Sequence, residues 1–282
     1  MEFKLFKSGY VALRKNNNWS LYRYLNTDEK SELVPTDFVQ NVPYLEVYEE
    51  SNLVATKEAV FSLNGDEILR DASGIKIIAI GKTTLIVSDH PSERYRIKVQ
   101  IWNGNEILSE YNCNSYTYSD KYLAVKYGNV WSLYGTDGAI IDECAFLADE
   151  VEIFNNLLIV RRLCEQWLYS ITQRAFLKQK QLRILCSKTH DFALCAKIGE
   201  KKLDIYTNGK WRTLPNVEEF GLVDGIEHIF YIKKKGKYLL YNDNVTRFMK
   251  KPYPKGVDFI SCNEDNVVLI INNGEPAFYK FD

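Results

Sequence analysis

The sequence predicts an all-β fold assembled from about eight short units of four strands each. Three observations lead there. The chain of 282 residues carries 19 Tyr, 14 Phe and 5 Trp against only 2 Met, and aromatic residues suit a pleated, half-buried surface. One hairpin pattern recurs along the whole chain at intervals of roughly 31–42 residues, the range of repeat architectures. No window of about 11 residues sustains a helical period.

The hairpin is clearest at 122–134. There "YLAVKYGN" is a strand ending in a Gly-Asn turn pair that favours positive φ, and "VWSLY" returns. Residues 10–25, "YVALRKNNNWSLYRYL", repeat it down to Trp-Ser-Leu-Tyr, while 53–65 keep Phe61-Ser62-Leu63 and 157–172 keep Trp167 and Tyr169. Looser copies lie at 192–209, 229–243 and 267–281. A stretched copy at 85–104 has its strands separated by a longer turn around His90-Pro91.

Short apolar segments follow the hairpins: "EIL" at 67–69 and 106–108, "AII" at 139–141, "RTL" at 212–214. Alternating strands then lead into the next hairpin, as in "YLEVY" (44–48), "IKIIAI" (75–80), "VEIF" (151–154), "LRILC" (182–186) and "VDFIS" (257–261). Each unit thus offers four antiparallel strands, the blade of a β-propeller, with both faces buried against neighbours. Burial on both sides explains why "LLIV" is apolar throughout instead of alternating. A single domain over 1–282 is expected, as a closed eight-bladed ring ahead of seven blades or an open array. The last unit stops after three strands, and "EFKLF" (2–6) is expected to lend a strand to the other chain end, which removes exposed edges.

The stretch "VWSLYGTDGAIID" (130–142), followed by "ECAFLADEVEIFNNLLIV", resembles the WG-repeat pattern. In that family Trp-Gly opens a strand, an Asp-x-x-Gly-type turn follows, and an apolar strand leads through an acidic and aromatic connector. Ser20, Ser62 and Ser132 stand where the family has its glycine. The resemblance implies a structural scaffold and carries over no catalytic residue.

The start, "MEFKLFKSGYVALRK", does not read as a signal peptide, because Lys4 and Lys7 interrupt any apolar core. No apolar run approaches the ~20 residues that span a bilayer. A cytoplasmic protein with no membrane association is expected. Six cysteines, Cys113, Cys144, Cys164, Cys186, Cys195 and Cys262, are scattered, mostly in apolar strand contexts such as "RILCS" and "FALCA". They read as free thiols acting as small hydrophobes.

Constellations for chemistry are sparse. Cys186, His190 and Cys195 are close in sequence, but a structural zinc site needs four ligands, usually in close pairs. No Gly-x-Ser-x-Gly elbow occurs, and His90, His190 and His228 lie in unrelated contexts. Acid pairs such as Glu49-Glu50, Asp142-Glu143 and Glu218-Glu219 fall at strand ends, where solvation accounts for them. No glycine-rich phosphate loop opens a helix. No catalytic residue, metal or cofactor is expected.

Charge is more informative, because a net charge of −1 hides two opposed segments. Residues 1–155 hold 15 Lys and Arg against 23 Asp and Glu, whereas 156–256 hold 20 against 9. The basic extremes are "KKKGK" (233–237) and "FMKKPYPKG" (248–256), so the expected interaction surface comprises Lys233, Lys234, Lys235, Lys237, Lys250, Lys251, Tyr253 and Lys255. The function this supports is a non-enzymatic scaffold, adaptor or inhibitor of immunity type that binds a protein partner, since complementary charge speeds encounter and fixes orientation. Two other readings stand behind it. One is a glycan-active or hydrolytic propeller enzyme with acids converging in a channel. The other is a nucleic-acid-binding subunit using the basic 156–256 sector, which the preponderance of Lys over Arg there disfavours.

Overall fold

The computed structural model describes residues 2–26, 30–92, 94–181, 183–197, 199–223 and 226–247, and the strand segments 257–262, 267–272 and 275–280. Its described residues form eight antiparallel sheets in which strands follow one another in chain order. The first sheet is β1 (Glu2–Leu5), β2 (Tyr10–Lys15), β3 (Asn18–Asn26) and β4 (Ser31–Pro35). The second is β5 (Leu45–Tyr48), β6 (Leu53–Thr56), β7 (Val60–Ser62) and β8 (Glu67–Leu69), with one 3-10 turn over Glu49–Ser51. The third is β9 (Lys76–Ile80), β10 (Thr83–Asp89), β11 (Ile97–Trp102) and β12 (Ile107–Cys113). The fourth is β13 (Ser115–Tyr118), β14 (Tyr122–Tyr127), β15 (Val130–Gly135) and β16 (Ile140–Leu147). The fifth is β17 (Glu150–Phe154), β18 (Leu157–Arg162), β19 (Glu165–Ser170) and β20 (Ala175–Gln181). The sixth is β21 (Arg183–Cys186), β22 (Phe192–Ala196), β23 (Lys202–Thr207) and β24 (Lys210–Pro215). The last two have three strands: β25 (Glu219–Val223), β26 (Ile226–Lys234) and β27 (Lys237–Asn242), then β28 (Val257–Cys262), β29 (Val267–Asn272) and β30 (Glu275–Lys280).

The expected all-β repeat is therefore present, and each four-stranded meander has the strand order of a propeller blade. All eight expected hairpins are the second and third strands of successive sheets. One expectation is corrected. Residues 2–5 pair with β2, Glu2 opposite Arg14 and Leu5 opposite Val11, so the amino-terminal strand completes the first sheet. The seventh sheet also falls short of four strands among the described residues.

The chain divides into two compact units, one of Met1–Tyr116, Asp120–Gly128 and Ser132–Glu143, the other of Thr117–Ser119, Asn129–Trp131 and Cys144–Asp282. In the first unit, consecutive sheets pack face to face. Trp19 and Leu21 of β3 meet Val54 of β6 and Phe61 of β7. On the other side of the second sheet, Leu53 and Val60 meet Ile86 and Trp102 of the third. In the second unit, Leu157 and Ile159 of β18 meet Ala193 and Cys195 of β22, and Leu194 of that strand meets Phe230 and Ile232 of β26. Strands β6 and β22 are thus sandwiched on both faces, which is why Leu53–Thr56 and Phe192–Cys195 are buried without a break.

The aromatic anchors sit on the third strands. Trp19, Phe61, Trp102 and Trp131 are buried, and Trp167 is half-buried against Phe176. The indole N–H groups of Trp102 and Trp131 donate to the carbonyls of Ser51 and Ala148, so neither polar end is left unsatisfied. Two of the serines that follow the aromatic anchors have roles of their own. Ser62 Oγ donates to Asp66 and accepts from its N–H, closing the β7–β8 turn. Ser20 Oγ accepts from the N–H of Asn41.

Candidate interaction surface

The hairpin of β26 and β27 carries the expected lysines. Its tip is Lys235-Gly236, with φ of +52° and +71°. Positive φ at both central residues is the geometry of a type I′ turn, which favours Asn-Gly. Other turns of this protein follow that preference: Asn16-Asn17 in the first sheet and Asn208-Gly209 in the sixth. In the seventh sheet a lysine occupies the left-handed position. Immediately below it Lys234 lies directly opposite Lys237, and like charges facing each other across a sheet are destabilising.

Lys233 differs from its neighbours. It lies opposite Glu219 on one side and Tyr238 on the other. Its ammonium is 3.5 Å from the Glu219 carboxylate and 5.4 Å from the centre of the Tyr238 ring. Burial pulls its pKa down, but Tyr238 and the Glu219 carboxylate outweigh that and the value is raised. Glu218 accepts the N–H of Gly236 at 3.1 Å and braces the turn. Lys233 therefore positions the hairpin, while Lys234, Lys235 and Lys237 have no ion-pair partner among the described residues. Lys250, Lys251, Tyr253 and Lys255 lie outside the described residues.

The fold adds residues that the sequence reading missed. Asn155 and Asn156, in the first turn of the fifth sheet, donate to the Asp191 carboxylate in the first turn of the sixth, at 2.8 and 3.0 Å. These ends align, so the turns between second and third strands fall at the opposite end of both sheets. The fifth sheet's turn holds Leu163, with φ of +54° and 88% exposure, beside exposed Arg162. Its N–H is fixed by Asp149 Oδ2 at 2.7 Å. The corresponding connection in the sixth sheet carries exposed Lys201, with Lys197 paired to Glu200, and exposed Lys202 opens β23. An exposed leucine at a left-handed tip is a departure visible in "RRLCEQ", but only the register shows that Leu163 is the turn residue.

The groups considered for chemistry are placed otherwise. Cys186 and Cys195 belong to the apolar core between the fifth and sixth sheets, whereas His190 is on the exposed turn that joins β21 and β22. Burial pushes the Cys195 thiol up to about 12 and raises Cys186 well above the ordinary range. Among the described residues no group of three His, Cys, Asp or Glu has the arrangement of a metal site. Several acids are held by cations directly across the sheet: Glu2 by Arg14, Glu150 by Arg161, Glu219 by Lys233. Glu46 accepts hydrogen bonds from Tyr44 and Tyr48, which hold its carboxyl below the usual range. Asp204 is pushed up by burial, but hydrogen bonds from Lys178 and Thr213 outweigh this and lower it.

No helix among the described residues is long and apolar enough to cross a membrane. No protein-family profile and no curated protein sequence matches the chain. Solved structures similar to it include Hsv2p of Kluyveromyces lactis, at 9% identity and a TM-score of 0.39, covering 98% of this chain and 95% of that one. A eukaryotic initiation factor is similar at 10% identity and a TM-score of 0.41, covering 90% and 78%. The WD40 domain of Toxoplasma gondii coronin shares 10% identity at a TM-score of 0.32, covering 72% and 66%. Likeness of this order transfers no activity or partner.

Proposed function

We propose that this chain is a non-enzymatic interaction scaffold, of adaptor or inhibitor type, that docks an acidic surface of a protein partner on the hairpin tips of its fifth to seventh sheets. One observation carries the reading. The β26–β27 tip keeps Lys234 opposite Lys237 and sets Lys235 in a left-handed position, a locally unfavourable arrangement with no compensating ion pair among the described residues. Departures from local rules without internal compensation concentrate where a surface serves another molecule. Exposed Leu163, beside Arg162 at the fifth sheet's tip, offers an apolar anchor, and the WG-type resemblance of the repeats agrees with a scaffold.

The test is recovery of the partner at physiological salt from cells expressing tagged protein, followed by titration of the purified pair. The triple variant Lys234→Glu, Lys235→Glu, Lys237→Glu is expected to weaken binding at least ~10-fold, about 1.4 kcal/mol. It is also expected to flatten the salt dependence. Unchanged affinity in the triple variant, or retention of nucleic acid instead of protein, contradicts the proposal.

A further inference from the structure

The packing of the first two sheets leaves a cavity of about 530 Å³ at one end of their shared core. Alternation along β3 explains its origin. Trp19 and Leu21 face the second sheet, and the next position on that face is Arg23, opposite Tyr10 on β2 and Val34 on β4. The apolar stripe thus ends in a guanidinium, and the core opens there instead of closing. Phe38, from the loop after β4, half-fills the opening and packs its ring on Phe61 at 5.6 Å between centroids. Gly65 permits this: a Cβ there would stand 3.1 Å from the Phe38 ring, and its φ of +100° disfavours any side chain.

The polar rim has a distinctive balance. Arg23 and Arg70 line the cavity together with Asp37 and Glu67. Arg70 and Glu67 form an ion pair, while Arg23 and Asp37 have no ion-pair partner among the described residues. The two hydroxyls, of Tyr10 and Thr36, are committed to the carbonyls of Leu63 and Leu21. With those donors used, the free side-chain donors are planar, the Arg23 guanidinium and the Asn64 amide, and the Asp37 carboxylate is the free charged acceptor. The charges cancel, so an anion meets Asp37 and Glu67 and a cation meets Arg23 and Arg70. A neutral polyhydroxyl ligand satisfies both kinds of group, because each sugar hydroxyl donates and accepts. Its C–H face suits the Phe38 ring, and the volume is in the range of small-molecule sites.

We propose that this cavity is a binding site for a neutral carbohydrate of one or two sugar rings, stacked on Phe38 and hydrogen-bonded by Arg23, Asp37 and Asn64. No bond is made or broken there. The site lies wholly within the first unit and is independent of the basic tips.

The test is saturation-transfer NMR and calorimetric titration of the full chain against a panel of neutral disaccharides (maltose, cellobiose, lactose and N,N′-diacetylchitobiose). Glucuronate and glucosamine are the charged controls. The expected result is saturable millimolar binding of at least one neutral disaccharide, exceeding that of both charged sugars. Phe38→Ala is expected to weaken it about 10-fold, and Asp37→Asn about 3- to 10-fold. Asp37 is exposed, so its variant keeps the test open if Phe38→Ala fails to fold. No saturable binding of any neutral sugar, tighter binding of a charged one, or binding unchanged in Asp37→Asn overturns the proposal.

Discussion

Trp102 separates the two contributions of a third-strand anchor. Its ring is buried between the second and third sheets and its N–H donates to Ser51 O at 2.8 Å. Trp102→Ala is expected to cost about 3–5 kcal/mol by denaturant unfolding. Trp102→Phe keeps most of the packing and loses the hydrogen bond, and is expected to cost less. The thiols give a second residue-scale prediction. Cys164 is exposed, whereas Cys113, Cys186 and Cys195 are buried, with Cys113 pushed up to about 12 by burial. Under native conditions Cys164 is expected to label with a thiol reagent at least ~100-fold faster than those three, since the thiolate is the reactive form. Peptide mapping reads this directly. Trp19 and Trp131 were legible because Trp-Ser-Leu repeats in the chain, whereas Trp102, followed by Asn103, stands outside that pattern. Phe38 was not legible, because it lies in a loop whose partner, Gly65, comes 27 residues later and is revealed only by packing.

Among the elements, the turns and the contacts between sheets carry the sharpest expectations. Gly81 closes the β9–β10 turn at φ +55°, and a Cβ there would stand 2.8 Å from the backbone oxygen of Asp120. A main-chain atom in the next sheet cannot swing aside, so Gly81→Ala is expected to cost more than the ~1–2 kcal/mol of left-handed geometry alone. Lys235→Asn is the opposite case. It restores the residue that a type I′ turn prefers and relieves the charge crowding, and is expected to stabilise the protein by about 0.5–1 kcal/mol while weakening partner binding. Between the fifth and sixth sheets, Lys178 donates to Asp204 at 2.7 Å. Asp204 is lowered in the fold, so its contribution is present above the ordinary Asp value and is lost as pH falls through the folded value. From about pH 5 to about pH 3 the wild type is expected to lose more stability than Asp204→Asn, measured by urea midpoints.

The same scale shows what the sequence disclosed about the fold. Hairpins such as 10–25 and 122–134 were readable because a turn pair lies between two apolar runs. First strands such as β5 and β9 were readable from their alternation. The strand partner of residues 2–5 was not, because "EFKL" fits any free edge and only its register with Val11–Arg14 decides the matter. Fourth strands were seen in part, since an outer strand such as β20, "AFLKQKQ", is half exposed and its pattern is mostly polar.

Across the whole molecule the informative feature is the distribution of charge and not its sum. The excess of cations in residues 156–256 was legible from composition. Which of them are available to a partner was not, because that depends on pairings such as Glu219 with Lys233, 14 residues apart and directly opposed on neighbouring strands. The remaining cations at the tip, with Leu163 at another tip, make the docking reading a quantitative one. The most direct measurement is the affinity of the recovered partner, from low to high salt, for wild type, Lys235→Asn and the triple Lys-to-Glu variant. A steep salt dependence in the wild type, reduced in Lys235→Asn and nearly abolished in the triple variant, is the predicted result. Identical affinity and salt slope in all three proteins would contradict the account.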